Sequence, residues 1–79
     1  MEVTISNPDR IIFKGEAKLL QLPGADGSFE VMERHAPILS LLTKGKVRLV
    51  DHEDKEQFFE IQGGLFGMAQ NSCRILLTA

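Results

Sequence analysis

The chain has 79 residues, nine of them basic and eleven acidic, for a formal net charge of −2, and it lacks both Trp and Tyr. That length holds one small domain, which buries only about 60% of its unfolded surface and so has a thin stability margin. The balanced charge removes the electrostatic ground for nucleic-acid binding, and without Trp or Tyr base stacking is weak too. Cys73 is the lone cysteine, which fits a reducing compartment, allows no disulfide and leaves no Cys-ligated metal site. The apolar runs fall far short of the ~20 residues of a bilayer span. Met1-Glu2-Val3 opens on a strand-like pattern rather than a basic stretch and apolar core, so no signal or transit peptide is expected. The expectation is a soluble intracellular domain.

In chain order, Val3 and Ile5 alternate with Glu2, Thr4 and Ser6 as a strand with one apolar face. Asn7-Pro8-Asp9 is a turn. Ile11-Ile12-Phe13 resumes a strand, and Lys14-Gly15 interrupts it, a glycine in a strand pattern suggesting a bulge or bend. Glu16 to Leu22 alternates with Leu on both sides, as in a strand covered on both faces. Leu22 to Leu42 is the busiest stretch: Pro23-Gly24 and Asp26-Gly27 are turn dipeptides, Phe29 and Val31 must be buried, and His35-Ala36-Pro37 follows. Phe29, Met32, Ala36, Leu39 and Leu42 recur at helical spacing, but Pro37 inside a helix would cost about 3 kcal/mol, so strand, loop, strand is expected. Thr43 to Lys46 reads as a hairpin turn, Lys46 to Val50 as a half-buried strand and Asp51 to Lys55 as a solvated turn. Strands then follow at Phe58–Ile61, Leu65–Ala69 and Cys73–Leu77, broken by Gly63-Gly64 and by Gln70-Asn71-Ser72. Seven or eight short strands at this spacing predict an all-β fold, a small β-sandwich of two packed, mostly antiparallel sheets over residues 1–79.

Chemistry-bearing groups are sparse. His35 and His52 are far apart and lack metal-ligand spacing. Gly24 and Gly27 open no phosphate loop, because no Gly-Lys-Ser/Thr follows. Ser28, Ser40 and Ser72 lie in no nucleophile elbow. Asp51, Glu53, Asp54 and Glu56 lack calcium-loop spacing. Cys73, in an apolar strand, fills core space, and His52 reads as a solvated residue. For His35 two readings stay open: a loop histidine bonded to a nearby backbone carbonyl, or a contact with a partner protein.

LPGADGSFEVMERHAPILSLLTKG resembles the ε subunit of F-type ATP synthases, where a Leu-Pro-Gly loop is followed by Gly-x-Phe, His-Ala-Pro, Leu-x-x-Leu and Gly. The likeness extends to Ile11-Ile12-Phe13-Lys14-Gly15-Glu16, to Gly63-Gly64 and to the closing strand, covering essentially the whole chain. It implies an N-terminal β-sandwich domain in a non-catalytic rotor subunit of the central stalk. Such a subunit binds the γ subunit on one side and rests on the c-subunit ring at its loop-bearing end. It couples proton flow to ATP synthesis peripherally, at the cytoplasmic face of the bacterial inner membrane. Carried over by residue, the ring-facing loop is Asp26, Gly27 and Ser28 with Glu30 and His35 close by, and Asn7, His35 and Ser40 face γ. No cofactor, metal, nucleic acid or small-molecule ligand is implied. The chain departs from the family in having Glu30 in place of Gly and Glu33-Arg34 in place of Pro-Gly. It also stops where most members continue into a helical hairpin, so neither the hairpin's inhibition of hydrolysis nor its nucleotide binding is expected. The rival reading is a stand-alone β-sandwich module for protein interaction or ligand binding, with an enzyme a distant third because no nucleophile, base and orienter assemble.

Overall fold

The computed structural model describes residues 1–78, in which the alternating pattern becomes nine strands: β1 (Glu2–Ser6), β2 (Ile11–Glu16), β3 (Leu19–Gly24), β4 (Gly27–Met32), β5 (Ile38–Leu42), β6 (Gly45–Val50), β7 (Glu56–Ile61), β8 (Gly64–Ala69) and β9 (Ser72–Leu77). They form one hydrogen-bonded path, β2-β1-β9-β8-β5-β3-β6-β7, with β4 added on the free side of β3. The path curls into two layers, β2-β1-β9-β8-β5 against β4-β3-β6-β7, which is the expected β-sandwich. Every pairing is antiparallel except that of β1 with β9.

The inward residues of each strand make the core. Val3, Ile5, Leu20, Leu22, Val31, Val47, Leu49, Phe66 and Ile75 are all fully buried. Phe29 on β4 closes on Phe66 with ring centroids 6.0 Å apart. Cys73 is buried among them, its Sγ 3.7 Å from the Met1 Sδ, and burial pushes its thiol up to about 11. It fills core space as expected and is inert as a thiolate at neutral pH. At the margin, Phe13 of β2 leans on Phe59 of β7 with centroids 5.3 Å apart. No backbone pairing joins β2 to β7, so side chains alone close that flank.

Three turn expectations change. Gly15 does not interrupt β2, which runs unbroken from Ile11 to Glu16; a Cβ there would stand 2.8 Å from the Phe13 ring, so the glycine makes room for an aromatic. The bulge lies instead opposite Ile5 and Ser6. Pro23-Gly24 is no turn either: both residues pair with β4, and the chain reverses over Ala25-Asp26. Thr43-Lys44 is not a hairpin but the corner where β5, paired with β8, passes into β6, paired with β7. β3 bridges this corner, meeting β6 over Leu19–Gln21 and β5 at Gly24. The strand, loop, strand expectation over Phe29–Leu42 holds, with β4 and β5 separated by an exposed Glu33–Pro37 loop.

Candidate functional site

Strand pairing places certain residues side by side on the outer face of the five-strand layer. Leu41 of β5 faces Leu65 of β8, Leu65 faces Leu76 of β9, Leu76 faces Ser6 of β1, and Ser6 faces Ile11 of β2. The result is one nearly continuous apolar row across the layer. The next row along the strands is Leu39, Gly67, Arg74, Thr4 and Lys14. The bulge leaves Ile12 without a register partner beside Ile11, and an extra strand residue of this kind disturbs strict in–out alternation. Both isoleucines stay off the core, Ile11 at 59% and Ile12 at 44% exposure.

Among the described residues seven large hydrophobic side chains are exposed, and five of them (Ile11, Ile12, Leu39, Leu41 and Leu76) belong to this face, leaving only Met32 and Phe58 elsewhere. Leu39 is 74% and Leu41 66% exposed. Scattered exposed hydrophobics are normal, whereas a contiguous apolar patch marks a binding surface. A groove of about 350 Å³ runs along it between Leu39 and Arg74, over Gly67. Reasoning from sequence missed this face, although Leu at both parities of Ile38–Leu42 was a signal that both sides of β5 are apolar.

The residues carried over from the family are not gathered in one place. Asp26, Gly27 and Ser28 sit at the tip and start of the β3–β4 hairpin, beside β5, because the Ala25 amide donates to the Leu41 carbonyl at 2.9 Å. Asn7 lies at this same end. Its carboxamide accepts from the Asp9 and Arg10 amides, both at 2.9 Å, in an Asx-type turn. Glu30 stands midway along β4 opposite Gln21. Glu30 therefore stays near Ser28, whose hydroxyl the Gln21 side chain reaches at 3.4 Å, whereas His35 is at the opposite end, in the Glu33–Pro37 loop, away from Asp26–Ser28. The reason is the tight closure over Ala25-Asp26, which sends β4 back down the molecule before His35 is reached. Ser40 faces inward beside Phe66 and is half-buried, apart from both His35 and Asn7.

The His35 end is heavily hydrogen-bonded. The His35 amide donates to Met32 at 3.3 Å, and its Nδ1 donates to the Ala36 carbonyl at 2.7 Å, in keeping with the backbone-bonded reading. The Arg34 amide donates to the Asn71 Oδ1 at 2.8 Å. Asn71 and Gln70, at φ 62° and 51°, form the two-residue turn between β8 and β9. Glu33 accepts from the Met1 amine at 3.1 Å, which holds its carboxyl below the usual range, and His52 approaches it at 3.8 Å. His52 therefore has a partner when protonated, beyond the plain solvated residue expected.

Asp51 closes its turn by accepting from the Lys55 and Glu53 amides at 3.0 and 2.8 Å, and these bonds lower its carboxyl from the ordinary 3.8. A carboxylate with a lowered folded-state pKa adds stability above its ordinary value and loses it as pH falls through the folded value. The urea midpoint should therefore drop as acid carries the pH below 3.8, and Asp51→Asn should flatten that drop. Parallel pH profiles for the two proteins would show the turn to be irrelevant.

The profile of the family described as ATP synthase, Delta/Epsilon chain, beta-sandwich domain matches residues 1–79. The chain belongs to this family. An ATP synthase epsilon chain of Chlorobium limicola is 42% identical over 77 residues, which cover 98% of this chain and 86% of that protein. One from Alkalilimnicola ehrlichii is 34% identical over 96% of this chain but only 54% of its own length. Among solved structures, a chain of the Euglena gracilis mitochondrial ATP synthase (OSCP/F1/c-ring) superposes with a TM-score of 0.90 at 19% identity, over 98% of this chain and 49% of that one. A chain of the Tetrahymena thermophila mitochondrial ATP synthase central stalk/c-ring gives 0.80 at 18% identity, over 99% and 63%. At such identities the likeness is one of fold: the epsilon-family sandwich.

Proposed function

We propose that this domain is a non-catalytic rotor subunit of the central stalk of a proton-translocating F-type ATP synthase, linking the γ subunit to the c-ring. It works peripherally at the cytoplasmic face of the bacterial inner membrane. Family membership and the names of the relatives supply the setting. The observation that carries the docking role is the apolar row Leu41–Leu65–Leu76–Ile11 with Leu39 beside it, which a protein working alone has no reason to leave wet. We assign this face to γ. The ring contact goes to the hairpin end, where Asp26, Gly27 and Ser28 are exposed, with Asn7 at the same end of the sandwich beyond β1. His35, at the other end, belongs to neither group. The domain exposes 4987 Å², and a standard interface takes about 800 Å² from each partner, so two such contacts fit on it without overlap.

Retention of the domain on immobilised γ, followed by capture of ring-containing membranes, tests this reading. The double variant Leu41→Asp, Leu76→Asp should lose roughly hundredfold or more in γ affinity, since apolar anchors at the centre of an interface dominate its energy. Its fold should persist, because both side chains lie on the outer face, Leu41 66% and Leu76 48% exposed. A wild-type domain that γ does not retain would end the rotor reading in favour of a stand-alone module.

A further inference from the structure

The row beside the apolar one carries two cations. Arg74 of β9 and Lys14 of β2 both flank Thr4 of β1, so they stand two strand spacings apart, about 10 Å, on one face. They lie two residues along the strands from Leu76 and Ile11, about 7 Å to one side of the apolar row. Both are exposed, and among the described residues neither forms an ion pair, whereas Lys18, Arg48 and Lys55 are paired with Asp54, Glu56 and Glu53. Arg74 also forms one wall of the groove opposite Leu39. One row further on, Glu2 and Glu16 face each other. From edge to edge the surface therefore runs apolar, then basic, then acidic.

We infer that this face accepts a protein surface built as its complement: an apolar ridge bordered on one side by two carboxylates about 10 Å apart, which meet Arg74 and Lys14. The inference rests on the assignment of this face to γ and specifies the chemistry that γ must present there. The banding fixes orientation. A partner rotated by half a turn would set its carboxylates away from both cations, and one shifted by a row would bring them onto Glu2 and Glu16. Like-charge contact of that kind suppresses wrong registers. Arg74, with a guanidinium that takes a carboxylate in two parallel bonds beside a groove, is the stronger anchor of the two. Exposed charges act through solvent, so their contribution shrinks as salt rises.

Binding of the purified domain to purified γ, measured at low and at several hundred millimolar NaCl, tests the pairing. Arg74→Glu should weaken binding at low salt by tenfold or more and Lys14→Glu by somewhat less. The double variant should reverse the salt dependence of the wild type, binding better as NaCl rises, because repulsion between carboxylates has replaced attraction. Lys55→Glu, an equal charge change at a site 76% exposed in the Asp51–Lys55 turn, should stay within twofold. Unchanged melting temperatures would confirm that the variants are folded, and Arg74→Gln separates loss of the cation from added repulsion. Wild type and double variant binding γ alike at both salts would overturn the carboxylate pairing while leaving the docking face assigned. No binding of wild type at all would remove the docking assignment itself. Capture of the free domain by vesicles of phosphatidylcholine with phosphatidylglycerol, lost in the double variant, would overturn the inference in favour of an anionic lipid surface.

Discussion

Phe66→Ala is expected to remove a large share of the domain's stability. Phe66 is fully buried on β8, in the layer that also carries the docking row, and its ring meets Phe29 from the opposite layer. Truncating a buried phenylalanine removes its transfer free energy and leaves a cavity that neighbours refill only in part, at about 3–5 kcal/mol. A chain of this size has a total stability of about 4–12 kcal/mol, so one substitution consumes a large share of it. Urea unfolding followed by far-ultraviolet circular dichroism gives the direct reading. A loss below about 1 kcal/mol would mean that the two layers are not packed through Phe66 as described.

Gly24→Val is expected to be nearly as damaging, for the opposite reason. A Cβ at residue 24 would lie 2.6 Å from the Gly27 carbonyl oxygen and 2.8 Å from the Phe29 ring. The backbone contact cannot be relieved by a rotamer change, because Gly24 and Gly27 are the closing pair of the hairpin. Opening that pair displaces the tip bearing Asp26 and strains the only register pair between β3 and β5. Overpacking costs about 1–3 kcal/mol where side chains can move, and at least the upper end is expected here. Because the hairpin end is the part assigned to the ring, ring capture should fall more steeply than γ retention. Wild-type stability and ring capture in this variant would refute the tight closure.

Much of the fold was legible from alternation alone. Val3 and Ile5, Leu20 and Leu22, and Val47 and Leu49 each announce a face, and each pair is fully buried. The errors came where a local signal competes with pairing. Pro23-Gly24 has turn chemistry, yet the cross-strand partnership of Leu22 with Phe29 keeps both residues in the ladder. Gly15 looks like a bulge, but its lack of a side chain serves the Phe13 ring. The docking face was illegible for a deeper reason. Period-two alternation separates two faces of a strand without saying which is dry, and a row such as Leu41, Leu65, Leu76 and Ile11 exists only once four distant segments are in register. The same holds for the site residues. His35 is close to Asp26 along the chain, and the hairpin carries it to the other end of the molecule.

The parallel pairing of β1 with β9 has a consequence for how the protein is made. Thr4 is matched with Arg74 and Ile5 with Ile75, so β1 must wait for a strand that begins at residue 72 before it gains its second neighbour. Until residues 72–77 emerge, β1 can pair only with β2, as a two-stranded ribbon of marginal stability. The docking row is equally incomplete, because Leu76 is its middle member. A nascent chain thus presents Leu39, Leu41, Ile11 and Ile12 without the surface that organises them, and the emergence of β9 completes both the sheet and the apolar row. Chains truncated before β9 should accordingly be degraded or aggregate.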